Sequence, residues 1–358
     1  MTQDVRAVRT AGPSTGAFPW DGGRDPAVDL IRGVAVVCMI IAHVRVWSPV
    51  SSEAATIVLV LINNVASPLF ALVMGISAGI VLTRRDGRVA SGAFVVRNVV
   101  RGLILIAIGL LLVQLGTFVA IVLMSLGATL IIASPLALLP APALAITTVV
   151  VFVAGPLVNA AARQALDPAR VYSHAWVDQV LQWLVLSGHY RAVSLLPFVL
   201  AGVLLARLRL TRRAALVSLA VGVLAALAVV ALRLSGRGLG VSEIVSGDLP
   251  DSLLDVALTA SACGVIVLLA RWAPMRRVVA VLEPVRATGA LALTAYVLHV
   301  VLIALAMRSG APRTPYEHWV VYGGGIFAVT VLVCWVWWRL LGKGPIERAM
   351  GLVTDRIR

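Results

Sequence analysis

The chain has 358 residues, of which 60% are hydrophobic and 13% are charged, and its mean hydropathy is +1.00. Soluble domains carry about 25% charged residues, so this composition excludes an ordinary soluble enzyme and indicates an all-α, polytopic integral membrane protein. The formal net charge of +14 comes mostly from arginines between apolar runs, where they orient membrane helices, and we expect no nucleic-acid partner.

Apolar runs long enough to cross a bilayer recur along the sequence and predict about ten transmembrane helices. In chain order they cover residues 28–47, 55–82, 94–114, 117–139, 142–162, 192–209, 214–234, 251–272, 287–307 and 319–341. Gly116 marks a short antiparallel turn between the third and fourth helices. We expect residues 1–26 to be a flexible cytosolic tail, 27–342 to be the membrane bundle and 343–358 to be a basic cytosolic tail.

Arginine-rich segments predict how these helices are oriented. RRDGR at Arg84–Arg88 and RLRLTRR at Arg207–Arg213 fall on one side of the predicted bundle, together with both chain termini. Under the positive-inside rule that side is the cytoplasm, which predicts a multi-pass plasma-membrane protein with cytoplasmic termini. On the other side, Ala175–Leu186 has apolar residues at helical spacing, which indicates either an amphipathic helix in the membrane interface or a lid over a substrate cleft.

The first predicted helix carries three ionisable residues in an otherwise apolar run, DLIRGVAVVCMIIAHVRVW. At about 100° per residue, Asp29, Arg32 and His43 lie within roughly 60° of one another on one face, which should point into the bundle. Asp29 and Arg32 are suited to a structural ion pair one turn apart. His43 is either a hydrogen-bonded structural histidine or a general base for an outer-facing hydroxyl or amine.

The second predicted helix holds Asn63, Asn64 and Ser67 near mid-membrane. Each asparagine needs several hydrogen-bond partners in hydrocarbon, so these residues are candidates to support a site, and Asn64 is a candidate oxyanion donor. Gly75 and Gly79 have the spacing at which another helix packs closely.

Two arginines, Arg97 and Arg101, stand one turn apart at the start of the third helix. In one interpretation they anchor the helix to lipid headgroups. With Arg32, Arg84 and Arg85 they are also suited to bind the phosphates of an anionic cytosolic ligand, because the guanidinium fork matches phosphate geometry.

Further polar residues lie in the eighth and ninth predicted helices. Tyr296 and His299 stand one turn apart and are candidate catalytic residues, with Tyr296 a second candidate oxyanion donor. Asp255 lies near the outer end of the eighth helix, where it is placed to pair with a histidine or a substrate. No segment has the context of a metal-binding motif, and we expect no metal.

Several stretches together resemble one superfamily. Asp29-x-x-Arg32-Gly33 followed by His43 is similar to the opening signature of the transmembrane acyltransferase superfamily, in which an arginine, ten intervening residues and a histidine recur on the first helix. The branch of YeiB-like bacterial proteins and heparan-α-glucosaminide N-acetyltransferase is resembled by SPLFALVMGISAGIVL, RNVVRGLILIAIGLLL, SLLPFVLAGVLLARLRL, GALALTAYVLHVV and GPIER. The resemblance covers most of the chain, and the order of the motifs carries it.

The resemblance implies a cell-envelope O- or N-acyltransferase that moves an acyl group, most simply acetyl, from cytosolic acyl-CoA to a sugar or lipid-linked acceptor across the membrane. It implies that Arg32, Arg97 and Arg101 contact the CoA phosphates and that His43 activates the acceptor. The catalytic histidine of the heparan-type enzymes belongs to the loop before the second helix. Here that loop, SPVSSEAATI, has no histidine, which leaves His43 as the candidate.

Two other functions fit the same residues. Polar residues within membrane helices also suit a transporter or flippase for a lipid or small metabolite, and a structural or regulatory subunit is the third hypothesis. The expected partners are membrane lipids, acyl-CoA (acetyl-CoA as donor substrate) and a glycan or lipid-linked acceptor. A homodimer is compatible with the sequence.

Overall fold

The computed structural model describes residues 24–48, 52–83, 90–165, 175–235, 245–271, 280–310 and 319–357. This part of the chain is an all-α bundle without strands, as predicted. Its helices are α1 Pro26–Val44, α2 Glu53–Thr83, α3 Ser91–Val113, α4 Leu123–Leu136, α5 Ala141–Ala165, α6 Trp176–Leu181, α7 Ala192–Arg207, α8 Arg212–Leu234, α9 Leu249–Arg271, α10 Glu283–Ala290, α11 Ala292–Arg308, α12 Gly325–Leu341 and α13 Pro345–Thr354. Short 3-10 or π-helical segments follow α1 and α6 and precede α12.

Seven helices in the described part of the chain are long and apolar enough to cross a membrane, namely α1, α2, α3, α5, α8, α9 and α12 with their short extensions. The pair α10–α11 also passes this test as one segment, but it bends by 93° at Leu291. The remaining two apolar helices, α4 and α7, have 14 and 16 residues. The chain is therefore a multi-pass membrane protein.

The fourth and ninth predicted helices differ from the structure. The turn at Gly116 is present, with φ of +66°, but α4 begins only at Leu123, because residues 117–122 are not helical. Val122 in this segment is buried against protein, which is the setting in which non-helical backbone is tolerated at membrane depth. The segment predicted as one helix at 287–307 is α10 and α11, joined at a sharp break.

Close helix crossings bring α1 to the centre of the bundle, where it packs between α2 and α10. At the α1–α10 crossing, a Cβ on Gly289 would stand 1.9 Å from the Asp29 carbonyl oxygen, and one on Gly33 would stand 2.0 Å from the Val285 carbonyl oxygen. At the α2–α7 crossing, a Cβ on Gly75 would stand 1.9 Å from the Val199 carbonyl oxygen. The close packing predicted at Gly75 is confirmed, and the crossings fix α1 against α10 and α2 against α7.

The segment Ala175–Leu186 is helical, as its spacing predicts, and comprises α6 and a π-helical extension. The extension contacts α4, α5 and α7, whereas Trp176 is 74% exposed. This arrangement is compatible with both interpretations given above, an interfacial helix and a lid.

The bundle has two ends that matter for the site. We call the end where α1 begins the tail face, because Arg24 and Asp355, near the two ends of the described chain, line the same cavity there. The other end, where α1 finishes and α2 begins, is the opposite face.

Candidate functional site

A cavity of about 750 Å³ opens at the tail face. Its wall combines apolar side chains of α2, α4 and α11 with charged groups that include Asp29, Arg32, Arg101 and Arg209. Ligand pockets typically have volumes of about 300–1,000 Å³, so this cavity can hold a cofactor-sized molecule.

Asp29 and Arg32 form the predicted ion pair, with Arg32 Nη1 3.2 Å from Asp29 Oδ1. Arg24 also binds Asp29 in bidentate fashion, through distances of 2.7 Å and 3.0 Å. Although burial opposes the charged form, the hydrogen bond and the negative charge of Asp29 raise the pKa of Arg24 above its ordinary value. Two guanidinium groups thus share one carboxylate, which leaves one positive charge in excess at the cavity wall.

Arg32 also ties three helices together. Its Nη2 donates to Ser77 Oγ on α2 at 2.7 Å, and its Nη1 donates to the Gly289 carbonyl oxygen at the end of α10 at 3.4 Å. Helix carbonyls at a C-terminus carry partial negative charge and favour a cation. The pair with Asp29 is therefore structural, while the guanidinium still lines the cavity.

Arg97 and Arg101 lie on the same face of α3 but have different surroundings. Arg97 Nη2 donates to the carbonyl oxygen of Ile357 at 2.8 Å, whereas Arg101 lines the cavity. The Nε atoms of both are buried, and none of the described residues accepts a hydrogen bond from them. A buried donor without an acceptor is costly, and an anionic ligand in the cavity would supply the missing acceptor for Arg101. Arg84 and Arg85 lie outside the described residues.

Arg209 lines the same cavity, although its segment RLRLTRR predicted only membrane orientation. Its φ is 56° and that of Leu210 is 45°, in the left-handed region that non-glycine residues rarely adopt. Strained backbone of this kind occurs where the surrounding structure fixes a side chain. The sequence contains no signal for this conformation.

Glu347, within the motif GPIER, caps the start of α11 at the break between α10 and α11. Its Oε1 accepts hydrogen bonds from the backbone N–H groups of Leu293 and Thr294 at 2.8 Å and 3.0 Å, and its Oε2 accepts one from the Thr294 hydroxyl at 2.5 Å. The first N–H groups of a helix have no partner within the helix, so the carboxylate satisfies the start of α11. Residues assigned from the sequence to a C-terminal tail thus form α13, which helps to build the cavity wall.

A histidine pair joins α1 to α11. His43 Nδ1 lies 3.0 Å from His299 Nε2, and the two imidazole planes are within 10° of parallel. His299 is fully buried, whereas His43 is half-buried. The sequence suggested each residue separately, but their separation of 256 positions hides the contact.

The hydrogen bonds of the pair fix its tautomers. His299 Nδ1 lies 3.1 Å from the Ala295 carbonyl oxygen, which can only accept, so this nitrogen carries the proton. In a neutral His299, Nε2 is then an acceptor and receives the N–H of His43 Nδ1. His43 Nε2 consequently has a free lone pair, which is the property of a general base.

Tyr296 lies beside the pair, with its ring perpendicular to that of His299 at a centroid distance of 5.2 Å. Its hydroxyl oxygen accepts the backbone N–H of Val122 at 3.3 Å. That bond uses a lone pair of the oxygen and leaves the hydroxyl proton available as a donor. The non-helical segment before α4 therefore positions Tyr296.

A second, smaller cavity of about 220 Å³ lies toward the opposite face. It is lined by several of the predicted polar residues from α2 and α9, namely Asn63, Asn64, Ser67 and Asp255, and also by Tyr190. His43 is not among the residues that line either cavity. Helix rise places it at the depth of Ser67, because His43 is about 16 Å along α1 from Arg32, and Ser67 is about 15 Å along the antiparallel α2 from Ser77.

Comparison with known proteins gives two matches. The family model described as "Heparan-alpha-glucosaminide N-acetyltransferase, catalytic" matches residues 24–237, which is more than half of the chain. The model described as "Protein of unknown function (DUF418)" matches residues 202–356. No curated protein matches the chain. The two matches confirm the resemblance to the YeiB-like and heparan-type branch, and each contains one member of the histidine pair.

Proposed function

This chain belongs to the heparan-α-glucosaminide N-acetyltransferase catalytic family, and on that premise we propose that it is a membrane acyltransferase. It moves an acyl group, most simply acetyl, from acyl-CoA at the tail face to a hydroxyl or amine of an acceptor at the opposite face. The observation that carries the proposal is the hydrogen-bonded pair of His43 and His299, which leaves a bare imidazole nitrogen inside the bundle.

The tail-face cavity is the proposed donor site. Its volume suits a cofactor-sized ligand, and the excess positive charge around Arg32 complements phosphates. The buried Nε atom of Arg101, which lines the cavity, lacks an acceptor that a phosphate oxygen would provide. Under the positive-inside rule the tail face is cytoplasmic, the compartment that supplies acyl-CoA.

The proposed chemistry is a single acyl transfer. His43 Nε2 takes the proton of the acceptor O–H or N–H while the acceptor oxygen or nitrogen bonds to the acyl carbon. The C–S bond then breaks, and the proton passes from His43 to the departing sulfur, which yields the acylated acceptor and free CoA. His299 holds the ring of His43 and accepts its Nδ1–H throughout, so it is a positioning residue.

Two groups are suited to stabilise the oxyanion that forms on the acyl carbonyl. The Tyr296 hydroxyl has a free proton, and the ring that carries it lies against the ring of His299. Asn64 lines the smaller cavity and shares a hydrogen bond with Asn63 at 3.4 Å. Tyr296 is the better candidate because it contacts the histidine pair.

The test is acetyl-CoA turnover by the purified protein in lipid nanodiscs, with CoA thiol release as the readout. The expected result is release that depends on an acceptor and disappears in His43→Ala, while that variant keeps its unfolding temperature. Equal release from His43→Ala contradicts the proposal. Solute flux into liposomes without acyl-CoA would instead favour a transporter.

A further inference from the structure

An aromatic cluster covers the face of α1 that carries His43. Trp47 follows His43 by four residues, so the two share one side of the helix and Trp47 lies about 6 Å nearer the opposite face. Only 3% of Trp47 is exposed. The centroid of its ring system lies 5.7 Å from that of Phe118 and 5.8 Å from that of Tyr322. These three residues, the aromatic cap, therefore cover the direct path along α1 from the opposite face to His43.

The rings of the aromatic cap belong to segments outside the regular α-helices. Trp47 ends the 3-10 segment after α1, Phe118 lies in the non-helical stretch before α4, and Tyr322 lies in the π-helical segment before α12. Turns of π-helix are rare and are frequent at functional sites. A rearrangement of these segments would leave α1, α4 and α12 intact.

Three successive glycines, Gly323–Gly325, follow Tyr322. Unlike the glycines at the helix crossings, they are not required by close packing. A Cβ on Gly324 would meet none of the described residues within 4 Å, and one on Gly323 would stand 3.8 Å from the Val44 carbonyl oxygen, an ordinary contact. The φ angles of Gly324 and Gly325, −67° and −65°, suit alanine equally well. Glycine supplies backbone freedom here, as a hinge requires.

We propose that the aromatic cap is a gate through which the acceptor reaches His43, with Gly323–Gly325 as its hinge. The inference rests on the proposed acyltransferase function and deepens it, since it gives the acceptor a path of entry. His43 is half-buried and lines neither cavity, so a ligand in either cavity does not reach its ring without a movement of the protein. Outward movement of Tyr322 on the hinge uncovers Trp47 and opens the path along α1.

A closed aromatic cap also protects the acyl donor. Water that reached His43 could give up its proton to Nε2 and attack the acyl carbon, which would yield a carboxylic acid and free CoA. Elements that close over a reaction site commonly exclude water in this way. The gate thus admits the acceptor and limits hydrolysis.

Thiol labelling at position 43 tests the gate without any acyl transfer. His43→Cys is made in a chain whose three cysteines, Cys38, Cys263 and Cys334, are replaced by alanine. The probe is a charged methanethiosulfonate that does not cross membranes, applied to intact cells. Under the positive-inside rule it arrives from the opposite face.

The labelling rate at position 43 should follow the aromatic cap and its hinge. Tyr322→Ala should raise the rate about tenfold, whereas Tyr322→Phe keeps the ring and should stay within about twofold of the unchanged cap. Gly324→Ala combined with Gly325→Ala should lower the rate about fivefold, because alanine favours the helical hinge.

Gly92→Ala is the matched control for the hinge, since a Cβ there also has no described neighbour within 4 Å, and it should leave the rate unchanged. Glu53→Cys labels the exposed start of α2 instead and should react at one rate in every variant of the aromatic cap. If Tyr322→Ala does not fold, Phe118→Ala replaces it, because Phe118 is 47% exposed. Equal labelling rates in the folded cap and hinge variants overturn the proposal.

CoA release separates the gate from the acyltransferase proposal. With acetyl-CoA and no acceptor, Tyr322→Ala should release CoA faster than the wild type, and adding His43→Ala should abolish the increase. If no release depends on His43, the acyltransferase proposal fails, while labelling still decides whether the aromatic cap controls access. If labelling ignores the aromatic cap, the gate fails, and release that depends on His43 is unaffected.

Discussion

The imidazoles of His43 and His299 share one hydrogen bond, Nδ1 to Nε2 at 3.0 Å, in which only one direction of donation is compatible with the Ala295 carbonyl behind them. His43 therefore donates its Nδ1–H to His299, and His299 donates its Nδ1–H to the Ala295 carbonyl oxygen. The chemistry proposed for the protein depends on that order, because the reverse order would place a proton on His43 Nε2 and remove its basicity.

Substitutions in the pair should lower turnover unequally. His43→Ala should reduce acceptor-dependent CoA release to the uncatalysed background, and His299→Ala should reduce it by about 10²–10⁴, the usual value of positioned acid–base catalysis. The double variant should be no slower than His43→Ala, because the residues act as one unit. Cys38→Ala changes the opposite side of α1 and serves as the matched control. If the losses of the two single variants added up in the double variant, the two histidines would act independently, which would contradict the positioning role of His299.

Arg101 should contribute more than Arg97 to CoA binding, since Arg101 lines the cavity and Arg97 is already bound to the Ile357 carbonyl. Arg101→Gln should weaken CoA binding about tenfold or more by calorimetry, the value of a charge-assisted hydrogen bond. Arg233→Gln removes a cation at the end of α8 and should leave the affinity unchanged. An Arg101→Gln protein with the affinity of the wild type would exclude the phosphate role.

Asp355 should weaken CoA binding, in contrast to Arg101, which should strengthen it. Its carboxylate lines the cavity and interacts electrostatically with Arg101, so it competes with an incoming phosphate. Asp355→Asn should therefore strengthen CoA binding by about two- to fivefold, as expected for a partly exposed charge. The gain should shrink at high salt, and a weaker affinity in this variant would show that Asp355 does not oppose the ligand.

Glu347→Gln should destabilise the protein by about 1–3 kcal/mol, because the start of α11 loses a charged acceptor for two backbone N–H groups. The free energy of unfolding in mixed micelles measures this loss. Glu53→Gln makes the same chemical change at the exposed start of α2 and should cost a few tenths of a kcal/mol. Equal costs at the two positions would mean that Glu347 does not cap α11.

Gly289→Ala should destabilise the α1–α10 crossing by about 2–3 kcal/mol, since its Cβ would stand 1.9 Å from the Asp29 carbonyl oxygen. Gly92→Ala is the matched control, because a Cβ there meets nothing within 4 Å and alanine favours the helix. Thermal unfolding in detergent compares the two variants. If Gly289→Ala were as stable as Gly92→Ala, α1 and α10 would be able to move apart without loss of stability, which would contradict the prediction.

Much of the architecture follows from the sequence because hydropathy and helical periodicity are local properties. They predict the membrane helices, the Asp29–Arg32 pair and the helical segment at Ala175–Leu186. The break at Leu291 cannot be recognised from the local sequence, because the residues on both sides of it remain apolar. Hydrogen bonds to Glu347 and to the Gly289 carbonyl satisfy the broken backbone, and both come from distant parts of the chain.

The candidate site was only partly predictable for the same reason. His43, Tyr296 and His299 stand out as polar residues in apolar helices, but which of them meet depends on how α1 packs against α11. Ser77 and Glu347 lie in stretches that contributed to the family resemblance, but nothing in the sequence indicated a role in the site for them or for Arg24, since such residues are common near the ends of membrane helices. Their roles emerge from contacts between residues far apart in the sequence.

The same separation has a consequence for biogenesis. Ribosomes deliver α1 to the membrane long before α11, so His43 has no partner during most of synthesis. A chain that terminates early, or that loses its last membrane helices to a protease, retains the first histidine and the arginines of α3 but lacks the group that orients the base. On the proposed mechanism, acyl transfer therefore requires the complete polypeptide, and fragments released by failed insertion would not catalyse it.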